Sequence, residues 1–304
     1  MAFTTSQQIS RYYDTFSEQE ITFTKEVIHA IMLDPKTVYL KCTGSQWPCV
    51  IYSSSMRSSK VIVNMQESLK TALRKSNNLV SLRYSFLQPD KSDPLSFLVS
   101  SKISAFTPYS RENSNLSFMN LEFTQRPPDG LIDVLGSLLD ANANSQNRKD
   151  IRITITEENA EQLGLRLRDI QLYIQGVPRK CVLRDISFGG AKVVIIGVPK
   201  LLLNKEAMIR LPFGDTGEVI DVAGSVIRFE GVEGRDDIAA IAIRFDDERV
   251  PVRLKLRLNE YLKLQQSPKE RAAAEARKQN EAAEVEKEQH ARRLREARSR
   301  RTDR

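Results

Sequence analysis

The chain has 304 residues, of which 40% are hydrophobic and 28% are charged. This length predicts about two folded domains with additional sequence, and the composition excludes a wholly disordered chain. No segment approaches the roughly 20 apolar residues that span a bilayer, and the first residues lack the basic and apolar regions of a signal peptide. We therefore expect a cytoplasmic protein without membrane insertion.

Cysteine and histidine are scarce in this sequence. The three cysteines are Cys42, Cys49 and Cys181, and the two histidines are His29 and His290. Their number and spacing argue against a disulfide framework and against a zinc site. Few histidines also means few Ser-His or Cys-His nucleophile pairs, and the sequence has no phosphate-binding GxxxxGKS/T loop. The sequence therefore predicts no enzyme and no metal cofactor.

The net charge of +7 is unevenly distributed along the chain. Residues 266–304 contain 12 Lys or Arg and 8 Asp or Glu, so the rest of the chain carries only +3. Their low complexity, with i,i+4 pairs such as Glu288 and Arg292, predicts a charged tail that is helical or disordered. Nucleic-acid binding through this tail is an alternative that the weakly charged body does not favour.

The first half of the sequence changes from a helical to a strand-like pattern. The capping-box spacing of Ser17–Glu20 and the apolar residues after it predict an N-terminal helix that stops near Asp34. Short β-branched and aromatic runs then predict antiparallel strands, namely VYLKCTGS, CVIYS, KVIVNM, LVSLRYSF, FLVSSKISAF and LSFMNLEF. Further helices are predicted over Gln66–Ser76 and Leu131–Leu139. Together these elements predict a first domain over residues 1–140.

The second half begins with a small and polar stretch, which predicts a linker over residues 141–152. The strand pattern then resumes in IRITIT, RLRDIQLYIQG, RKCVLRDIS, AKVVII, AMIRLPF, GSVIRF and IAAIAIRF, and VPVRLKLRLNEYL predicts a closing helix. These elements predict a second domain over residues 153–265. Short strands at this spacing favour antiparallel barrels over a parallel α/β sheet. The predicted fold class is therefore mainly β, with two β-barrel domains and flanking helices.

The two halves also resemble each other. Val38–Val63 parallels Ile170–Ile195, so that Lys60 falls on Lys192. The later strands follow in the same order, and both halves end in a strand, a proline-containing link and a helix. We therefore predict that both domains share one barrel topology.

Two short motifs stand near the start of the second domain. The first is RxxxR, formed by Arg148 and Arg152, and the second is DxSxxG, formed by Asp185, Ser187 and Gly190. RxxxR alone is uninformative, because it recurs near the end of the chain. DxSxxG is more specific, since it places two side-chain acceptors in a turn whose glycines admit close approach. An ordinary β-turn remains the alternative for this motif.

Together, in this order and inside a barrel pattern, the two motifs resemble those of the PilZ family of cyclic di-GMP receptors. The resemblance covers Arg148 to about Leu264. It implies cyclic di-GMP as the ligand, bound by Arg148, Arg152, Asp185, Ser187 and Gly190.

The chemistry of this ligand suits the motif residues. Cyclic di-GMP presents phosphates and guanines, and a guanidinium can bond in bidentate fashion to phosphate oxygens or to guanine O6 and N7. Asp185 can accept from guanine N–H groups, Ser187 adds a polar contact, and Gly190 would let the turn lie close to a base. Arginines on a flexible linker can close over the ligand and thereby change how the domains are held.

Two positions depart from the commonest family pattern. Asn147 stands where members often carry another arginine, so the stoichiometry is open between one ligand and a stacked pair. Ile151 stands where an aromatic residue is common, and its place in the IRITI alternation predicts that it faces the core.

The first domain looks like the degenerate PilZ-like N-terminal domains of YcgR-type and spirochaetal two-domain receptors. In the repeat, DxSxxG corresponds to Ser53–Ser58, which retains one serine at Ser55, and no RxxxR precedes it. We therefore expect this domain to bind no cyclic di-GMP by this chemistry.

The resemblance implies a non-catalytic receptor whose interdomain arrangement changes on ligand binding. Such a receptor regulates a protein partner, which is unidentified here, and motility is among the behaviours that it can control. The alternative is a protein-interaction module of the same fold that needs no ligand.

Overall fold

The computed structural model describes residues 5–88, 91–109, 115–196, 199–214, 217–232 and 235–265. The tail predicted over residues 266–304, which includes His290, lies outside the described residues. Two antiparallel barrels and their helices belong to one compact unit, Met1–Asn259, and the last helical turns belong to a second unit, Glu260–Arg304.

The first barrel is a closed ring of six strands. Its elements are α1 Ser6–Phe16, β1 Ile21–Thr22, α2 Lys25–Ala30, β2 Tyr39–Cys42, β3 Ser45–Ser54, β4 Ser58–Asn64, α3 Glu67–Lys75, β5 Leu79–Phe86, β6 Leu95–Pro108, β7 Leu116–Phe123 and α4 Asp129–Asn147. The strand order is β3-β2-β5-β6-β7-β4, the β3–β4 pairing closes the ring, and β1 pairs with β3.

The second barrel repeats this topology. Its elements are β8 Ile153–Thr154, α5 Glu157–Leu163, β9 Gln171–Ile174, β10 Val177–Ile186, β11 Gly190–Ile196, β12 Glu206–Phe213, β13 Glu218–Val232, β14 Arg235–Phe245 and α6 Val252–Gln265. The strand order is β10-β9-β12-β13-β14-β11, the β10–β11 pairing closes the ring, and β8 pairs with β10. The predicted fold class of two antiparallel barrels is therefore confirmed.

The register of the central hairpins shows how closely the two barrels correspond. Lys60 pairs with Ser53 across β3 and β4, and Lys192 pairs with Asp185 across β10 and β11. A β-bulge precedes the paired residue in both hairpins, at 51–53 and at 183–185. Successive side chains of a strand point to opposite faces of the sheet, and alternate residues along β4 and β11 are accordingly buried in the barrel cores. The predicted repeat is thus present at the level of single residue pairs.

The N-terminal helix predicted from Ser17–Glu20 is wrong in its position. The structure has α1 before this segment, with Ser17 as its C-terminal cap, and a shorter helix α2 after it, capped by the Thr24 hydroxyl. Between the two helices, Ile21 is buried in the core and its backbone pairs with β3. Strand pairing therefore prevails over the capping-box pattern here.

The linker predicted from Ala141 onwards is also shorter than expected. Helix α4 continues to Asn147, although its last residues are small and polar. Ala141, Asn144 and Ser145 are buried, and the Asn144 amide is hydrogen bonded to Asn259 of α6. Tertiary packing therefore maintains a helix that the local sequence does not favour.

We expect the stability of the first barrel to fall in alkaline solution because of Tyr84. Its side chain is fully buried, and burial raises the pKa of Tyr84 to about 12. An unfolded chain would release this proton near pH 10. The unfolded state then binds fewer protons, so the free energy of unfolding should fall by roughly 2–3 kcal/mol between pH 10 and pH 12.

Urea unfolding at a series of pH values measures this loss. Tyr84→Phe should flatten the pH dependence above pH 10, leaving the contribution of the Cys49 thiol, whose pKa burial raises to about 12. An equally steep fall in the phenylalanine variant would show that Tyr84 is not responsible.

Candidate functional site

The DxSxxG motif forms the turn between β10 and β11. The Ser187 backbone N–H donates to the carbonyl oxygen of Gly190 at 2.8 Å. The Ser187 hydroxyl donates to the same oxygen at 3.3 Å and accepts from the Gly189 N–H at 3.3 Å. The Ser187 side chain is buried, so its hydrogen bonds hold the turn together from within.

Gly190 is required by the packing of two strands. It pairs with Arg244 of β14, and a Cβ at this position would lie 2.4 Å from the carbonyl oxygen of Ile243. The expected reason for this glycine was close approach to a ligand base. The structure supplies a different one, which is the close approach of β11 to β14.

Asp185 and Arg152 bring the two motifs together. Asp185 follows the bulge in β10 and pairs with Thr154 of β8, two residues after Arg152. The Arg152 Nη1 donates to the Asp185 Oδ1. The Asp185 side chain is 19% exposed and the Arg152 side chain 47% exposed, so the ion pair lies at the surface of the barrel. The short strand β8 therefore places one motif arginine on the motif aspartate.

Arg148 is placed by helix α4. It follows the last helical residue, Asn147, and its backbone N–H donates to the Asn144 carbonyl oxygen at 2.8 Å. Within the described ranges, the Arg148 guanidinium has neither a hydrogen bond nor an ion pair. Asn147 itself is exposed. A cation that has no partner in the described part of the chain therefore stands where the helix ends.

The segment between the two arginines departs from the sequence prediction. Residues 148–150 form a turn, and the Ile151 N–H donates to the Arg148 carbonyl oxygen at 3.2 Å. Because β8 begins only at Ile153, Ile151 is 43% exposed rather than in the core. The prediction that Ile151 faces the core is therefore wrong.

Lys149 forms an ion pair that the sequence did not predict. Its Nζ lies 2.6 Å from the Asp247 Oδ2, between β14 and α6, and its backbone lies against Gly189. The only available signal was its place between the two arginines. This ion pair fastens the RxxxR segment to the second barrel.

An open cleft of about 870 Å³ borders the motifs without containing Arg148, Arg152 or Asp185. Arg244, which pairs with Gly190, and Asp247, which holds Lys149, both line it. The motif contacts define the candidate site, because they bring together residues from distant parts of the sequence. Four carboxylates and two arginines line the cleft, so the cleft itself is net acidic, and the groups that suit an anionic ligand are the motif arginines outside it.

The first barrel repeats the turn but reverses the charge beside it. The Ser55 N–H donates to the Ser58 carbonyl oxygen at 2.8 Å, as Ser187 does to Gly190. In the place of Arg152, directly before the short strand, stands Glu20, which accepts from the Ser53 hydroxyl. The first barrel therefore offers a carboxylate where the second offers a guanidinium.

Two family descriptions match the chain in succession. The PilZN3 domain matches residues 7–142, and the PilZ domain matches residues 146–263. A Treponema denticola protein described as "Cyclic di-GMP binding protein" is 39% identical over 268 residues, which cover 88% of this chain and 85% of that protein. The chain belongs to the two-domain PilZ proteins.

Two solved structures also match this chain. The PlzA protein of Borreliella burgdorferi, solved with c-di-GMP, is 25% identical, with a TM-score of 0.39 over 84% of this chain and 98% of that one. YcgR of Escherichia coli, solved with c-di-GMP, is 14% identical, with a TM-score of 0.26 over 86% of this chain and 91% of that one.

Two features are absent from the described residues of this PilZ protein. No helix among them is long and apolar enough to cross a membrane. Across the same ranges, no three His, Cys, Asp or Glu side chains are grouped so that they could hold a metal ion.

We predict that the two glycines of the turn differ in their tolerance of a methyl group. Gly190→Ala should lower the free energy of unfolding by about 1–3 kcal/mol, because its Cβ would overlap the Ile243 carbonyl oxygen. Gly189→Ala is the matched control, since its Cβ would lie 3.6 Å from the nearest backbone atom. Urea unfolding measures both, and equal stabilities would contradict the packing role of Gly190.

Proposed function

We propose that this PilZ protein is a non-catalytic, cytoplasmic receptor that binds cyclic di-GMP through Arg148, Arg152, Asp185, Ser187 and Gly190. One observation carries the proposal. The β8–β10 pairing places Arg152 on Asp185, next to a turn whose shape Ser187 and Gly190 maintain. The relative from Treponema denticola, whose description names cyclic di-GMP binding, supports the same ligand.

The two arginines would act on the ligand's phosphates and guanines. Arg148 has no protein partner in the described part of the chain and is therefore free to bond to a phosphate or to guanine O6 and N7. Arg152 must first share or release Asp185. An ion pair at the surface contributes about 0–1 kcal/mol. A ligand phosphate can therefore compete with Asp185 for the half-exposed guanidinium of Arg152 at small cost.

The three residues of the second motif have two different roles, because one would contact the ligand and the other two hold the turn. Asp185 would accept hydrogen bonds from the N–H groups of a guanine once Arg152 turns to the ligand. Ser187 and Gly190 are buried, and their bonds and packing hold the turn. They therefore contribute mainly by keeping Asp185 in place.

Ligand binding would act on the first domain through helix α4. Arg148 directly follows this helix, so that a ligand bound by its guanidinium would change the position of the helix end. We propose that occupancy changes the interdomain arrangement and that a protein partner senses the change, with the motility machinery as one candidate. The carboxylate of Glu20 disfavours an anionic dinucleotide in the first domain, which leaves that domain as the candidate surface for the partner.

A second candidate function is a protein-interaction module that needs no ligand. It is favoured by the internal partners that Arg152, Lys149 and Ser187 already have in the structure. Binding experiments with cyclic di-GMP separate the two functions.

We predict that Arg148→Ala and Arg152→Ala each weaken cyclic di-GMP binding at least about tenfold, because each removes a charge-assisted contact. Fluorescence anisotropy with labelled cyclic di-GMP measures the affinity. Arg74→Ala, at an exposed position on α3 of the first domain, is the matched control and should bind like the wild type.

Two results would contradict this assignment. Wild-type affinity in both arginine variants would show that the ligand binds elsewhere. If the wild-type chain itself does not bind, the module without a ligand is the better description. The saturation point of the same titration distinguishes one ligand from the stacked pair that Asn147 leaves open.

A further inference from the structure

Helix α6 is fastened to the second barrel along one face. The Arg253 Nε lies 3.2 Å from the Glu218 Oε1, and the Arg257 Nη2 lies 2.8 Å from the Glu218 Oε2. Glu218 begins β13, and its side chain is only 12% exposed. The two arginines are four residues apart and therefore share a helix face. The position of α6 thus follows that of the second barrel.

A different face of α6 contacts the first domain. The Val252 N–H donates to the Glu26 Oε1 of α2 at 2.6 Å, and the Val252 side chain packs against the core of the first barrel. Asn259 lies seven residues further on, close to two helical turns, and so faces the same way. One helix of the second domain therefore touches the first domain at both of these positions.

Asn259 connects α6 to helix α4 through both ends of its amide. Its Nδ2 donates to the Asp140 Oδ2 at 3.1 Å, and its Oδ1 accepts from the Asn144 Nδ2 at 2.7 Å. All three residues are buried, and Asp140 also lies 3.8 Å from the Arg11 Nη2 of α1. If α4 slid or rotated against α6, buried polar groups would lose their partners. The two helices are therefore held in one register.

This register fixes the end of α4 from which Arg148 continues. The Arg148 N–H is bonded to the carbonyl oxygen of Asn144, the same residue whose side chain meets Asn259. Arg152 is placed differently, by the pairing of β8 with β10 and by Asp185. The α4–α6 contacts thus bear on Arg148 and not on Arg152, while the ion pair of Lys149 connects the segment between the two arginines to the second barrel.

We propose that Asn259 is a positioning residue for Arg148 in the binding of cyclic di-GMP. It touches no ligand. It acts through Asp140 and Asn144, which hold the end of α4 at a fixed place relative to the second barrel. The proposal rests on the proposed function, because it assumes that Arg148 contacts the dinucleotide.

The test is a pair of double-mutant cycles on the full chain. Asn259→Ala should weaken cyclic di-GMP binding at least about threefold, which is a typical coupling between connected residues. In an Arg148→Ala background, the same substitution should cause no further loss. In an Arg152→Ala background, the loss should persist undiminished. A purely structural role for Asn259 would cause the same loss in both backgrounds.

Asn142→Ala is the matched control, because Asn142 lies on α4 outside this network, and it should bind like the wild type. If Asn259→Ala fails to fold, Asn144→Ala removes one bond of the network and keeps the backbone acceptor of Arg148. Unchanged affinity in a folded Asn259→Ala or Asn144→Ala variant, or equal losses in the two arginine backgrounds, would overturn the proposal.

A second measurement separates this proposal from the proposed function. If the wild type binds no cyclic di-GMP, the proposed function fails, and amide hydrogen exchange of the unliganded chain then tests the positioning alone. The Arg148 amide should exchange faster in Asn259→Ala than in the wild type and in Asn142→Ala. Equal exchange in the three proteins would overturn the positioning role.

Discussion

The close approach of β11 to β14 at Gly190 is the constraint on which the candidate site depends. A hydrogen in place of a Cβ lets the Ile243 carbonyl oxygen come within a distance that any side chain would block. The Phe245 N–H then reaches the Gly189 carbonyl oxygen at 2.9 Å, and Ser187 closes the turn. The pairing of β10 with β11 closes the barrel beside this turn. The bulge in β10 lies just before Asp185, which accepts a hydrogen bond from Arg152. The site is therefore built from the closure of the barrel itself.

The two barrels show that this scaffold and its chemistry are separable. Both have the same strand order, the same bulge and the same serine turn. The first barrel has Glu20 where the second has Arg152, and Ser58 where the second has Gly190, so the turn also forms without a glycine and the close approach at Gly190 is particular to the second barrel. Because a shared fold does not determine function, the charge next to the turn distinguishes a domain suited to an anion from one that is not.

The sequence predicted most of what depends on local pattern. Alternating apolar residues predicted the strands, and the match of Lys60 with Lys192 predicted the shared topology. The residues after Ala141 resemble a linker, because their helicity comes from burial and from Asn259, which lies 115 residues beyond Asn144. The bond of Lys149 to Asp247, which lies 98 residues away, was invisible for the same reason. Contacts between distant residues leave no periodic trace in one sequence.

The candidate site is connected through hydrogen bonds and strand pairing to the helices α4 and α6. Arg152 belongs to the second barrel through β8, whereas Arg148 belongs to a helix of the first domain that Asn259 holds against α6. A dinucleotide contacted by both arginines would therefore bridge elements of the two domains. In the proposed mechanism, ligand binding would thus be coupled to the domain arrangement without a long flexible linker.

The most direct measurement of the central claim is isothermal titration calorimetry of the full chain with cyclic di-GMP, with GTP as the control ligand. Our account predicts saturable heat with cyclic di-GMP, at a stoichiometry of one or two ligands per chain, and none with GTP. The absence of saturable heat with cyclic di-GMP, or equal binding of GTP, would contradict it.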